Sequence, residues 1–274
     1  MKTIETKLKI GAEKEFSIIH ISDTHLTYAD ERDGERKVIL SQNRRKYFSN
    51  SEEVLAFSSQ ASRQYNAPIM HTGDLIDFVS LANLERVKKF FSENDCFVAS
   101  GNHEFSLYVG ESWEDEAYRN QSLDLVQSFY PNNIRMSSRI IGGVNFIALD
   151  NGYYLFEDAQ TEFVKEQAKK GLPIVLLMHN PLYEESLFNI KMNSDKNCAF
   201  LVGVPEEKMA NYPPVRYRQQ KADEPTERAI QYFSSEPLIK AILCGHVHIS
   251  HEGLWNGIPQ IVTGLEEIRI IKIL

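Results

Sequence analysis

The sequence has few cysteines, and their number and placement argue against a disulfide-stabilised fold. Its three cysteines are an odd number; Cys96 and Cys244 lie in apolar runs, whereas Cys198 lies in a polar stretch. Secreted proteins that depend on disulfides use cysteine differently, so we expect a reducing compartment. Cys96 and Cys244 are predicted to be buried free thiols.

Long apolar runs and an excess of basic residues are also missing. The longest apolar run, residues 172–178, is far too short to cross a bilayer, and residues 1–15 lack the apolar segment of a signal peptide. We therefore expect a cytoplasmic protein without membrane contacts. The formal net charge of -8 argues against a nucleic-acid partner, although bound metal ions would add positive charge.

The remaining composition fits one catalytic domain. The chain has 274 residues, of which 42% are hydrophobic and 25% charged, so a sizeable core can form. Neither an internal repeat nor a low-complexity tract is visible. We predict a single domain over residues 1–274.

The first half alternates between strand and helix patterns. Strands are predicted over residues 16–21, 68–72 and 97–100, and helices over residues 51–65 and 81–93. Such an alternation indicates parallel strands joined by right-handed crossovers. In sheets of this kind, functional groups gather beyond the carboxyl ends of the strands.

The second half predicts a mixed sheet. A hairpin turns at Gly142-Gly143, a helix covers residues 158–170, and strands cover residues 173–178 and 238–244. The tail from residue 253 onward is predicted as two or three antiparallel strands. The whole order indicates an α/β (mixed α+β) protein with two mixed sheets flanked by helices.

The stretch of about residues 182–226 is rich in proline, tyrosine and arginine and is too long for a tight connection. We interpret it as an insertion that covers the functional site and shapes access to it. The alternative is a mobile surface excursion. Arg216 and Arg218 in this stretch could bind additional phosphate charge, but exposed arginines are common on any surface.

Short polar motifs follow the predicted strands. They are Asp23-Thr24-His25, Gly73-Asp74, Gly101-Asn102-His103-Glu104, Met178-His179-Asn180 and Gly245-His246-Val247-His248. Each motif alone is weak evidence, since an isolated histidine is usually structural. Together they offer two carboxylates, one amide oxygen and five imidazoles, a ligand set for two adjacent divalent cations. Imidazole suits manganese, iron, nickel or zinc better than magnesium or calcium.

This ligand set points to chemistry at phosphate esters. A pair of cations offsets the negative charge that repels a nucleophile, and it deprotonates a bridging water near neutral pH. With two aspartates and a bridging hydroxide the centre keeps a single net positive charge, which suits an anionic substrate. We therefore predict in-line attack on phosphorus by a metal-bridging hydroxide, without a phosphorylated enzyme.

The motif order from residue 23 to residue 248 resembles the calcineurin-like metallophosphoesterase superfamily. The resemblance implies a four-layer α-β-β-α sandwich. It implies one cation held by Asp23, His25 and His248, and a second held by Asn102, His179 and His246. Asp74 would bridge the two cations, its two oxygens serving one ion each. His103 would lie outside both metals and meet the substrate phosphate or the leaving group.

His103 has a chemical role of its own in this interpretation. Its imidazolium would stabilise the transition state or protonate the departing alkoxide. In the protein-phosphatase branch of the family, the second Asp of Gly-Asp-x-x-Asp supports that histidine, and Gly73 to Asp77 matches this spacing. Asp77 is therefore predicted as the partner of His103, and the alternative is that it caps the following helix.

Several polar residues near the motifs keep two interpretations. Glu104 orients a histidine or makes a loop hydrogen bond, and Asn180 touches phosphate or forms a turn before Pro181. His20 and His71 are expected to be core or outer-shell residues, and His251 to be structural or on the surface.

The substrate is less well determined by sequence. Phe78 stands where protein phosphatases of the family carry arginine, and Asp77 stands where purple acid phosphatases carry tyrosine. The segment from His20 to Leu26 is most similar to bacterial cyclic-nucleotide phosphodiesterases. A phosphodiesterase acting on a small or nucleotide substrate is therefore the leading prediction. The alternatives are a small-molecule phosphomonoesterase, a nucleotide pyrophosphatase and a non-catalytic scaffold.

Overall fold

The chain folds around two β-sheets that stack face to face. The structure, a computed structural model, describes residues 1–106 and 116–274. Its strands are β1 (Lys2–Leu8), β2 (Phe16–Ile21), β3 (Ile69–His71), β4 (Cys96–Val98), β5 (Met136–Ile141), β6 (Val144–Leu149), β7 (Ile174–Leu177), β8 (Ile239–Cys244), β9 (His251–Trp255), β10 (Ile258–Val262) and β11 (Glu267–Ile273). Its α-helices are α1 (Glu35–Arg44), α2 (Ser51–Tyr65), α3 (Leu81–Glu93), α4 (Glu116–Gln127), α5 (Asp158–Ala168), α6 (Glu185–Ser194), α7 (Pro214–Gln220) and α8 (Glu224–Ser235).

The first sheet has the strand order β1-β11-β2-β3-β4. β2, β3 and β4 are parallel, as their alternation with helices predicts. β11 lies between β1 and β2, parallel to β1 and antiparallel to β2. The tail thus departs from the predicted antiparallel set, because β11 leaves its neighbours β9 and β10 and enters the other sheet. Both faces of β11 are buried there, which its run of isoleucines permits.

The second sheet has the order β5-β6-β7-β8-β10-β9. β5 and β6 form the predicted antiparallel hairpin, and β6, β7, β8 and β10 run parallel to one another. β9 pairs antiparallel with β10 at the edge, across the turn at Asn256 and Gly257. The sheet is therefore mixed, as predicted.

Apolar side chains fill three layers between and outside the sheets. Met70, Phe97, Phe146, Leu177 and Leu243 belong to the core between the two sheets. Helices α2, α3 and α4 contribute to the core on the outer face of the first sheet, and α5, α6 and α8 do so on the second. The result is the predicted α-β-β-α sandwich.

The segment predicted as an insertion packs against the second sheet. Leu187, Leu201, Val202 and Met209 are fully buried in the same core as Leu176 of β7. It contains α6 and α7, which the sequence pattern did not predict, and the start of α8. These side chains are therefore part of the core on the outer face of the second sheet.

Cysteine burial follows the same packing. Cys96, Cys198 and Cys244 are all buried free thiols. Cys198 is therefore buried although its neighbours in the sequence are polar. Among the described residues, none of the helices has the length and apolar character needed to cross a membrane.

Candidate metal centre

The loops that follow β2, β3, β4, β7 and β8 bring the polar motifs together at one edge of the sandwich. Within each of three groups, the metal-binding atoms lie within 4.8 Å of one another. The groups are Asp23, His25 and His248; His25, Asp74 and His103; and Asp74, His179 and His246. Asn102, the remaining predicted ligand, is buried and lines the same cavity as Asp74 and His246.

Two pairs of imidazole nitrogens face each other at the spacing of ligands on a shared cation. His25 Nε2 lies 3.2 Å from His248 Nε2, and His179 Nε2 lies 3.1 Å from His246 Nδ1. Two nitrogens bound about 2.1 Å from one cation are about 3.0–3.4 Å apart in octahedral or tetrahedral geometry. The donor set therefore fits two cations, one beside each pair.

Asp74 lies between the two pairs. Its Oδ2 is 3.0 Å from His179 Nε2 and 3.7 Å from His25 Nε2. Its Oδ1 instead accepts a hydrogen bond of 2.8 Å from the backbone N–H of His103. The position agrees with a bridging role, but Oδ2 alone faces both groups, in contrast to the predicted use of one oxygen per ion.

Strained backbone is concentrated at this centre. Asp23, His25, Asp74, His246 and His248 all have φ between 47° and 68°, a region that non-glycine residues rarely adopt. Such conformations cost of order 1–3 kcal/mol each and persist where the surroundings impose them, often at functional sites. Five of the seven predicted ligands carry this strain.

Glycines in the motifs allow the loops to approach closely. A Cβ at Gly101 would overlap Asp74 Oδ1, and one at Gly245 would overlap Ser22 Oγ and Asp23 Oδ2. Asp23 also accepts the backbone N–H of His246 at 2.8 Å. Gly101 and Gly245 are therefore needed for the carboxylates of Asp74 and Asp23 to reach their positions.

The carboxylate of Asp77 lies closer to His25 than to His103, its predicted partner. Asp77 Oδ1 is 3.1 Å from His25 Nδ1, and Arg44 donates two hydrogen bonds of 2.7 and 2.9 Å to the same carboxylate. His103 Nδ1 is 3.5 Å from the carboxylate, beyond a good hydrogen bond. The alternative of helix capping also fails, because Ser80 caps α3. A carboxylate that fixes a metal-binding histidine is a common arrangement.

His103 is held by the main chain of Asp77 instead. Its Nδ1 lies 2.6 Å from the Asp77 carbonyl oxygen, and a carbonyl only accepts, so Nδ1 carries the proton. Nε2 is then the nitrogen whose protonation can change. His103 lines the cavity beside Asn102 and Asp74.

Residues around the ligands hold the motif loops in place. Buried Glu104 accepts the N–H groups of Asp74, Leu75 and Gly101 at 2.6–2.7 Å, which is the loop role rather than the histidine-orienting one. Asn180 donates its side-chain amide to the carbonyls of Asn151 and Gly152, so it serves the turn.

His20, His71 and His251 make contacts within the fold rather than with the ligand groups. His20 is buried between Thr72 and Thr263, at 2.9 and 2.8 Å. His71 accepts the backbone N–H of Gly73 through Nδ1. His251 contacts Glu184 at 2.8 Å.

Sequence reasoning missed two residues of the loop after β6. Tyr154 Oη lies 2.9 Å from His246 Nε2 and orients that ring, and Asn151 Oδ1 accepts the N–H groups of His179 and Asn180. A signal was present, because Asp150-Asn151 follows a predicted strand as the other motifs do. It was overlooked because β6 was assigned only to a hairpin.

Buried charges at the centre balance one another. Burial opposes ionisation of Asp74, but the charges of His179 and His103 hold the pKa of its carboxyl well below the usual range. Burial also opposes protonation of His179, yet the charge of Asp74 and the hydrogen bond to it raise the pKa of His179 to about 10. Burial lowers the pKa of His25 and of His246. Without cations, a protonated His179 therefore compensates the buried carboxylates.

Binding of cations is expected to release about one proton at about pH 8. His179 must lose its proton to become a ligand, whereas His25 and His246 are already neutral. The apparent affinity should rise about tenfold per unit from about pH 8 and level off above about pH 10. Calorimetric titration of Mn²⁺ into metal-free protein in two buffers of different ionisation enthalpy gives the proton count. A count near zero would contradict this assignment.

The comparisons with known proteins show the family of the chain. A sequence model of the calcineurin-like phosphoesterase family matches residues 16–250. The chain belongs to this family. As a family member it is a metal-dependent phosphoesterase, a hydrolase that acts on phosphate esters. No curated protein matches the chain.

The chain is also similar to solved structures at low sequence identity. A putative 5'-nucleotidase from Staphylococcus aureus is 15% identical with a TM-score of 0.47; the match covers 92% of this chain and 49% of that one, so this chain spans about half its length. The phosphopantetheinyl hydrolase from Mycobacterium tuberculosis is 11% identical, TM-score 0.45, with coverage of 91% and 90%. A dimetal phosphatase from Danio rerio is 16% identical, TM-score 0.42, with coverage of 91% and 87%. Scores of this size carry no argument about substrate.

Proposed function

We propose that this phosphoesterase binds two divalent cations and acts chiefly as a phosphodiesterase on a small or nucleotide substrate. The observation that carries the proposal is the pair of facing imidazole groups with Asp74 Oδ2 between them. We assign Asp23, His25 and His248 to one cation, Asn102, His179 and His246 to the other, and Asp74 to both. Manganese, iron, zinc and nickel suit these donors.

The cations, when bound, would offset substrate charge and supply a nucleophile from water at neutral pH. The chain's own residues would do the rest. Asp77 and Tyr154 would fix the rings of His25 and His246, so that the ligand nitrogens do not reorganise during the reaction. His103, with its proton on Nδ1 directed to the Asp77 carbonyl, would pass a proton from Nε2 to the departing oxygen.

Preference for diesters rests on the first motif. Its Asp23-x-His25-Leu26 and the later Gly73-Asp74-Leu75 resemble the bacterial cyclic-nucleotide phosphodiesterase branch. In the fold these leucines join the two loops, since Leu26 N donates to Leu75 O at 2.9 Å. This hydrogen bond joins the loop that carries Asp23 to the loop that carries Asp74.

A substrate screen with added Mn²⁺ tests the proposal. We expect bis-p-nitrophenyl phosphate to be hydrolysed with a higher kcat/KM than p-nitrophenyl phosphate, and we expect cyclic nucleotides to be further substrates; nucleotide sugars are included in the screen to detect pyrophosphatase activity. In ¹⁸O-labelled water, a single turnover should place the label in the phosphate product. Higher activity on the monoester would replace the diesterase with a phosphomonoesterase, and two phosphorylated products would indicate a pyrophosphatase. Absence of both activity and bound metal would indicate a scaffold.

A further inference from the structure

Two positively charged side chains of the insertion segment, Lys191 and Arg216, line the cavity that holds the candidate metal centre. The cavity has a volume of about 300 Å³, and its walls include Asn102, His103, Lys191, Phe200 and Arg216. Lys191 lies in α6 and Arg216 in α7, whereas Arg218 is exposed and does not line the cavity. A volume of about 300 Å³ lies at the lower end of small-ligand pockets and leaves room beyond the reacting phosphate.

The Phe200 ring lies near both positively charged side chains and near His246, a predicted metal ligand. Lys191 Nζ and Arg216 Cζ lie 5.7 and 5.2 Å from the centre of the Phe200 ring, which is 6.0 Å from the His246 ring. Lys191 Nζ also lies 3.4 Å from the carbonyl of Val247, the residue between His246 and His248. Both charges are therefore close to the place where a phosphate would react.

Within the described part of the chain, neither side chain forms an ion pair of 4.0 Å or less, and the only carboxylate charge that acts on Lys191 is the more distant one of Asp195. Arg216 donates to the neutral side chain of Gln219 at 2.7 Å, and Lys191 to a carbonyl. The chain carries 38 acidic and 30 basic residues, so acidic side chains are not scarce. Among the described residues that line the cavity, Asp74 is the only one with a carboxylate.

A half-buried positive charge without an ion-pair partner is energetically unfavourable, and both Lys191 and Arg216 are in this situation. Burial lowers the pKa of the Lys191 ammonium, which reports the loss of water around it. A bound anion would offset this loss. Arginine offers phosphate a planar pair of donors, and lysine adds a compact charge.

We propose that Lys191 and Arg216 bind a second phosphate group, so that the preferred substrates are phosphoesters carrying an additional phosphate. This inference rests on the proposed function, because it places the reacting ester at the candidate metal centre. It assigns to the insertion a role in substrate choice rather than in the reaction itself.

Matched substrates test the inference directly. The diester pair is the p-nitrophenyl ester of thymidine 5′-phosphate with and without a 3′-phosphate; the monoester pair is thymidine 3′,5′-bisphosphate and thymidine 5′-phosphate. Consumption of each is followed by chromatography with Mn²⁺ present. For the ester class that the enzyme hydrolyses, we expect the additional phosphate to raise kcat/KM about 100-fold, chiefly through KM.

Variants identify the groups responsible. Lys191→Gln and Arg216→Gln should each reduce this preference about tenfold, as expected for one charge-assisted contact, and Arg216→Lys should retain more of it. Arg218→Gln, an exposed arginine on the same helix, is the matched control and should keep the preference. Because each preference is a ratio measured on one protein sample, partial unfolding does not alter it.

The outcomes separate the two proposals. Hydrolysis of neither pair by the wild-type enzyme overturns the proposed function and this inference with it. Hydrolysis with a preference below about threefold overturns the inference alone. A preference that both glutamine variants retain, or that Arg218→Gln loses to the same extent, also overturns it.

Discussion

Replacing Asp74 by asparagine is expected to remove both divalent cations from the protein and to lower kcat/KM by about three orders of magnitude or more. Oδ2 of Asp74 faces both groups of histidines, at 3.0 Å from His179 Nε2 and 3.7 Å from His25 Nε2. An amide lacks the negative charge that two adjacent cations require between them. Elemental analysis of the purified variant measures the loss.

His248→Ala is the control that distinguishes the loss of a bridging ligand from the loss of a ligand to one cation. His248 belongs to one group only, so the variant should keep one cation where Asp74→Asn keeps none. Thermal unfolding of the metal-free proteins shows whether each variant is folded. If Asp74→Asn keeps its full metal content, or loses no more than His248→Ala, Asp74 does not bridge.

The Asp74→Asn substitution is also expected to change the protonation of His179. The Asp74 charge is the largest of the effects that raise the pKa of His179 to about 10. Without this charge, His179 should be neutral at pH 8 in the metal-free variant. The proton released on metal binding by the wild type should then be absent in Asp74→Asn.

Local patterns in the sequence predicted α2, α3 and α5 and the order of the motifs, but not α4, α6, α7 or α8. The predicted bounds of α2 and α3 match the structure, because their apolar spacing and the turns that flank them are local. The first sheet could not be completed in this way. β1 pairs with β11, and Lys2 lies opposite Glu267, so the pairing depends on contacts across almost the whole chain. β1 alternates charged and apolar residues, as an edge strand does, yet its charge concealed the pattern.

At the candidate centre, sequence spacing predicted which residues meet but not how their side chains point. Asp77 and His103 do come together, as the Gly-Asp-x-x-Asp spacing suggests. The Asp77 carboxylate turns away from His103 because Arg44 and His25 bind both of its oxygens. Arg44 lies 33 residues away in a charged helix, and nothing in its local sequence marks it as a partner. Side-chain direction is set by such distant contacts.

His103→Ala is expected to retain both cations and to lose turnover by about 10²- to 10⁴-fold. His103 forms a compact group with His25 and Asp74, so the geometry alone would also allow it to be a ligand. Metal content decides between these roles: a ligand variant loses metal, and a proton-donor variant does not. A fully active His103→Ala enzyme would remove the residue from the mechanism.

The leaving group provides a second test. If His103 protonates the departing oxygen, its loss should matter more for an alkoxide, as in thymidylyl-thymidine, than for p-nitrophenolate, which leaves without a proton. Asp77→Asn is the matched comparison. Since its carboxylate holds His25 rather than His103, this variant should weaken Mn²⁺ binding about 10- to 100-fold and show no such dependence on the leaving group. If Asp77→Asn instead reproduces the leaving-group dependence of His103→Ala, the two residues act as a dyad after all, and the contact between Asp77 and His25 is secondary.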